Sequence, residues 1–180
     1  MRICLTGGIA CGKSLLSRFL DELGLETIDA DDVVHEIIPD PAERKRIAAE
    51  VFTDPEKRRA LEARLHPLVR ERILAFLNDG EATPPPHLRI AVIPLLFEVH
   101  WEADYDIIAC VASSREKQIE RMMTTRGYSR EEAEARLAAQ MPVEEKAAQS
   151  HYVIKNEGSA EDLRQQAVAF VSWLKARVAG

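Results

Sequence analysis

Cysteine is scarce: Cys4, Cys11 and Cys110 are the only thiols in 180 residues. Three scattered cysteines make neither a disulfide framework nor a zinc site, so a reducing cytoplasm is the expected setting. Long apolar runs are missing too. The longest, Ala91 to Phe97, is interrupted by Pro94 and falls far short of the roughly 20 residues a membrane-spanning helix needs. Met1-Arg2-Ile3-Cys4-Leu5-Thr6 lacks the apolar segment and cleavage site of a secretory signal. An excess of positive charge is absent: 24 Lys plus Arg stand against 30 Asp plus Glu, a net charge of -6. Such a chain has no global attraction for nucleic acid or anionic lipid, so neither is an expected partner. There is no internal repeat, and Pro84-Pro85-Pro86 is the one low-complexity tract. What remains, 46% hydrophobic and 30% charged residues, is the balance of one soluble globular domain with small appendages.

Short apolar runs alternate with helical periodicity. Strands are expected at Arg2 to Thr6, Leu25 to Ile28, Arg89 to Ile93, Asp106 to Val111 and His151 to Ile154. Leu16, Phe19, Leu20 and Leu23 repeat at helical spacing, and Gly24 ends that helix. A closing helix carries Leu163, Ala167, Phe170, Val171 and Leu174, with Ser159 and Asp162 at its start. Between the second and third strands, Pro41 to Asp79 reads as helical, with Leu61, Leu65, Val69, Ile73 and Phe76 in register. Pro67 interrupts that pattern, predicting a kink, or one helix ending near His66 and another beginning. Ser113 to Glu116 and Ser129 to Glu132 each resemble a capping box around two helices separated at Gly127. The alternation predicts an α/β fold with a five-stranded parallel sheet and helical insertions. Ligands of such sheets bind at the carboxyl ends of the strands.

Gly7-Gly8-Ile9-Ala10-Cys11-Gly12-Lys13-Ser14 matches G-x-x-x-x-G-K-[ST] in full, between a strand and an amphipathic helix. Backbone N–H groups in such a loop converge on phosphate oxygens, and the helix N-terminus adds partial positive charge. Gly8, Ile9, Ala10, Cys11, Gly12, Lys13, Ser14 and Leu15 are therefore the candidate nucleotide-binding residues. Lys13 is expected on the β- and γ-phosphates, and the Ser14 hydroxyl on Mg²⁺. Cys11, near a helix N-terminus, is either an activated thiol or simply a small residue the loop tolerates. Asp29, Asp31 and Asp32 follow the second strand. A carboxylate there suits a general base for a substrate hydroxyl, and Asp31 or Asp32 suits equally well a cap for the helix that follows.

These blocks, together with Leu65-His66-Pro67-Leu68-Val69, Ile93-Pro94-Leu95-Leu96-Phe97-Glu98, Gln140-Met141-Pro142 and Tyr152-Val153-Ile154-Lys155-Asn156, occur in an order that resembles the dephospho-CoA kinase family. The resemblance implies a P-loop kinase core, a helical substrate-binding insertion and a helical lid. It implies transfer of the ATP γ-phosphoryl group to the ribose 3′-hydroxyl of dephospho-CoA, the last step of coenzyme A synthesis, with ATP and Mg²⁺ as cofactors. By position it makes Asp31 the general base. It places Thr6, Asp31, His66, Arg70 and Glu98 at the substrate, and Asn156 and Gly158 beside the adenine. The expected units are residues 1–31, 88–112 and 151–180 as the core, 32–87 as the substrate domain and 113–150 as the lid. A small-molecule substrate and a monomer or weak oligomer are expected. Arginine can clamp the charge that spreads over transferring phosphoryl oxygens. Arg121 and Arg126 are the expected nucleotide contacts and Arg136 the expected catalytic cation.

Three features depart from the family pattern. The stretch from Asp31 to His66 is short, Lys146-Ala147 leaves one cation where relatives carry a basic pair, and Val92 replaces an acidic residue of many relatives. These departures keep two alternatives in view, another small-molecule P-loop kinase with a nucleoside or sugar acceptor, and a catalytically weakened nucleotide-binding regulatory protein. A GTPase switch lacks its Asn-Lys-x-Asp run.

Overall fold

The computed structural model describes residues 1–82 and 88–178. Its order is β1 (Ile3–Gly7), α1 (Lys13–Glu22), β2 (Glu26–Asp29), α2 (Ala30–Ile37), α3 (Pro41–Thr53), α4 (Pro55–Ala82), β3 (Arg89–Val92), a 3-10 turn (Glu102–Asp104), β4 (Ile107–Ala112), α5 (Arg115–Arg126), α6 (Arg130–Ala138), α7 (Val143–Ala148), β5 (Tyr152–Lys155) and α8 (Ala160–Val178). The five expected strands form one parallel sheet in the order β2-β3-β1-β4-β5. Because β1 lies between β3 and β4, its carboxyl end is the switch point at which such sheets bind ligands. The phosphate-binding sequence begins there.

Side-chain alternation divides the core in two. Ile3, Leu5, Ile90, Val92, Ala109 and Val111 face α1 and α8, packing with Leu16, Leu20, Phe170 and Leu174. Cys4, Ala91, Ile93 and Ile108 face the other way, against Val33 of α2 and Val69, Ile73 and Leu77 of α4. A third, small cluster joins α5 and α6 through Ile119, Met122 and Ala133, and Ile9 and Ala10 of the loop after β1 pack onto it. Among the described residues, no helix is long and apolar enough to cross a membrane.

Several local expectations change. The helical stretch breaks at Asp54, not at Pro67. Asp54 Oδ1 accepts from the N–H groups of Glu56 at 3.0 Å and Lys57 at 3.1 Å, so Asp-Pro starts α4 as a cap followed by the proline suited to a first turn. Helix α4 then runs unbroken through Pro67. Pro67 and Ala63 are both exposed, so the carbonyl that loses its N–H partner faces water. The Ser129–Glu132 capping box forms. The one at Ser113 does not: the Ser113 hydroxyl donates to Asn156 O at 2.7 Å, and the Ser114 hydroxyl donates to Glu157 Oε2 at 2.9 Å. Both serines serve tertiary contacts with the segment after β5. The proline triplet lies outside the described residues.

Ile73 is fully buried between α4 and the sheet. Ile73→Ala should lower unfolding stability by about 2–5 kcal/mol. The measurement is a urea titration, with the midpoint falling and the slope unchanged.

Candidate active site

The loop after β1 is shaped by left-handed backbone at Ala10 (φ 57°) and Gly12 (φ 94°). Gly12 is the N-cap of α1, and a Cβ there would run into Asn156 Nδ2. Only glycine satisfies both the conformation and the contact. Asn156 is buried, and its Nδ2 donates to Cys11 O at 2.9 Å. The loop thus opens the α1 N-terminus into a hollow of about 660 Å³ that Ser14, Leu15, Arg18, Asp29, Asp31, Arg121 and Arg126 help to line.

Lys13 folds back over the loop, and its Nζ donates to Gly7 O and Gly8 O, each at 2.9 Å. Burial pushes its pKa below the ordinary lysine value, and the nearby Lys146 charge adds to that push against the pull of Cys11. The ammonium is poised to exchange those carbonyls for anionic oxygens, and Ser14, one residue on, is exposed to the same hollow. The Cys11 thiol is buried, and desolvation raises its pKa, so the activated-thiol alternative is overturned. Loss of water outweighs the Lys13 charge and the hydrogen bonds from Ser113 and Gly8 that pull the other way.

The aspartates divide their work. Asp29 ends β2 and caps α2, accepting from Asp31 N at 2.8 Å. The cap is therefore neither Asp31 nor Asp32, because α2 begins at Ala30, earlier than the apolar pattern suggested. Burial raises the Asp29 pKa, against the lowering effect of that N–H. Asp31 stands exposed in the first turn of α2. It lines the phosphate-loop hollow and also a second, apolar cleft of about 170 Å³. Val34, Leu65, His66, Val69, Leu95 and Trp101 contribute to that cleft, with the His66 ring edge-on to Trp101 at 5.5 Å. Pro94 lines both cavities as well.

The remaining candidates scatter in role. Thr6 is fully buried and donates to Pro94 O at 3.3 Å. Arg70 makes a two-pronged ion pair with Asp104, Nε to Oδ2 at 2.6 Å, and does not line the apolar cleft. Glu98 Oε1 lies 2.7 Å from Lys146 Nζ and accepts from Met141 N at 3.1 Å. Arg121 donates to Ser113 Oγ at 2.9 Å, Asn156 O at 2.9 Å and Ala10 O at 3.3 Å. Arg126, at the end of α5, reaches the hollow. Arg136 is exposed and stacks on Tyr128 at 4.2 Å, away from the hollow. Gly158 lies exposed just before α8, where a Cβ would meet the Asp162 carboxylate that accepts from Ser159 N at 2.7 Å.

Sequence reasoning passed over three neighbours. Arg18 lies one helical turn after Ser14, and helical spacing alone would have found it. Lys146 was read as a lid cation, yet its side chain is entirely buried, donating to Pro94 O at 2.8 Å and paired with Glu98. Gln118 is buried, and its Nε2 donates to Ile9 O at 2.7 Å. No local pattern marks either of the last two.

A sequence model of the family described as Dephospho-CoA kinase matches residues 1–43 and 40–162. The curated Dephospho-CoA kinase of Wolinella succinogenes is 35% identical over 193 aligned residues, covering 96% of this chain and 94% of that protein. The crystal structure of TT1252 from Thermus thermophilus is 36% identical, with a TM-score of 0.78 and 97% of each chain covered. The Dephospho-CoA kinase from Campylobacter jejuni superposes with a TM-score of 0.65 at 26% identity, with 95% of each chain covered.

Two outcomes follow from this geometry. Lys146→Met strips a half-buried carboxylate of its cation, so stability should fall by about 3–5 kcal/mol, and the additional change Glu98→Leu should recover most of it. Denaturant unfolding of the single and double variants checks this. Lys13, deprotonated more readily than an ordinary lysine in the free protein, should regain its proton when a polyphosphate anion binds. Nucleotide binding just below the ordinary lysine pKa of about 10.4 should therefore take up protons, and Lys13→Met should abolish the uptake. Calorimetry in buffers of different ionisation heat reads it.

Proposed function

The chain belongs to the dephospho-CoA kinase family, and from that premise we propose that it transfers the γ-phosphoryl group of ATP to the ribose 3′-hydroxyl of dephospho-CoA, yielding coenzyme A and ADP. One observation carries the assignment of roles: Asp31 stands where the phosphate-loop hollow and the apolar cleft meet. A carboxylate at that boundary reaches an acceptor hydroxyl on one side while the phosphate chain lies on the other.

In this reading ATP lays its phosphates along the loop from Gly8 to Leu15, with Asn156 and Gly158 on the adenine side. Lys13 leaves the carbonyls of Gly7 and Gly8 for the β- and γ-phosphate oxygens. The acceptor occupies the cleft walled by His66 and Trp101. Asp31 accepts the hydroxyl proton as the acceptor oxygen bonds to the γ-phosphorus. The bond from that phosphorus to the β–γ bridging oxygen breaks, and ADP leaves with the electron pair. Arg121 and Arg126 supply positive charge beside the phosphates. Thr6 and Glu98 act on the acceptor through the wall they brace, and Arg136 and Arg70 come to the substrates only by leaving Tyr128 and Asp104. Mg²⁺ suits this site: the exposed Ser14 hydroxyl is a hard oxygen donor, and phosphate oxygens and water complete the shell of a cation that keeps much of its water. When bound it would neutralise charge developing on the phosphates.

We assign the sheet with α1 and α8 as the nucleotide-binding core, α2 to α4 as the substrate-binding part and α5 to α7 as the lid, following the expected divisions. A small-molecule acceptor fits the narrow apolar cleft.

Incubation of the protein with ATP, Mg²⁺ and dephospho-CoA should add one phosphate to the acceptor's mass. An unaltered acceptor, with another alcohol phosphorylated instead, would reassign the substrate. Asp31→Asn should reduce kcat by about 10²–10⁴ with little change in the KM for ATP. A loss of tenfold or less in steady-state turnover would remove the general-base role.

A further inference from the structure

Gln118 lies on the first helix after β4, yet it grips the phosphate-binding loop. Its side chain is buried, at 3% exposure, and its Nε2 donates to Ile9 O at 2.7 Å. The same amide nitrogen fills the space a Cβ at Gly8 would need, shared with Cys11 Sγ and Val143 Cβ. Three residues on, Arg121 donates to the next carbonyl of the loop, Ala10 O. Successive side chains on one face of α5 therefore hold two consecutive loop carbonyls. Between them lies Ala10, whose φ of 57° is unfavourable for a residue with a Cβ.

Ile9 borders two hollows. With Gly8 and Gln118 it lines one of about 240 Å³ beside α7, and with Ala10, Lys13, Ser14 and Asp31 it lines the phosphate hollow, which Gln118 does not reach. In a trans peptide the C=O and the following N–H point in opposite directions. Holding the Ile9 carbonyl on the α7 side turns the Ala10 N–H toward the phosphates.

We propose that Gln118 is a positioning residue for phosphoryl transfer, which fixes the Ile9–Ala10 peptide so that the loop's N–H groups face the nucleotide's phosphate chain. The inference rests on the nucleotide reading given above. Without the amide, the carbonyl of half-buried Ile9 loses its side-chain donor and the peptide is free to turn. Gln118 touches no substrate. Its effect is confined to groups that bind phosphate, and the acceptor cleft on the far side of Asp31 is not involved.

The test is Gln118→Met, which preserves length and packing but removes the donor. The KM for ATP and the dissociation constant for ADP should both rise about tenfold, while the KM for dephospho-CoA stays within twofold. Gln118→Leu provides the same comparison should the methionine variant not fold. An ATP KM and ADP affinity within twofold of the unaltered protein would overturn the proposal. So would equal losses for ATP and dephospho-CoA, because those report a general loss of structure. Failure of the unaltered protein to bind ATP is a separate result and would remove the nucleotide reading itself.

Discussion

A phosphate-binding loop has to present backbone N–H groups to an anion, and a backbone in that shape does not hold itself. The left-handed conformation at Ala10 costs energy, and loop carbonyls need partners in a desolvated setting. Here the partners are the loop's own lysine and side chains from elsewhere in the chain. Lys13 takes the carbonyls of Gly7 and Gly8, Gln118 that of Ile9, Arg121 that of Ala10, and Asn156 that of Cys11. Five consecutive carbonyls are held by α1, α5 and the segment after β5. Each bond contributes about 0.5–1.5 kcal/mol net, and together they leave the loop one shape.

That arrangement changes how the helices after β4 are understood. The first half of α5 is fastened to the loop by hydrogen bonds and by the apolar contact of Ile9 and Ala10 with Ile119 and Met122. Ser114 is bound in turn to Glu157. Arg126 and Arg136 lie beyond this anchorage, near the ends of α5 and α6. Arg121 is thus both a bracket of the loop and a cation lining its hollow.

The second constraint is a shared wall. Pro94 borders the phosphate hollow and the apolar cleft, and its carbonyl accepts from both Thr6 and Lys146. Lys146 also pairs with Glu98, which accepts from Met141 at the root of α7. A fully buried ammonium is expensive unless paired and hydrogen-bonded. Here it ties the Pro94 wall that the two cavities share to Glu98.

The strands and the phosphate-binding loop were legible from residue spacing, because each is a local property of a few consecutive side chains, and the family was legible from the resemblance its ordered blocks carry. The start of α4 was legible in Asp54-Pro55 but was outweighed by Pro67, whose cost falls on the exposed face of the helix. The sequence by itself determined where the phosphate-binding loop lies and that an aspartate follows β2. Tertiary structure alone decided that Asp31 faces both cavities, that Lys146 is a buried strut between Pro94 and Glu98, and that Gln118 belongs to the loop. The last two depend on partners 52 and 109 residues away in sequence, and no local pattern encodes where the packing of a parallel sheet will bring two distant side chains together.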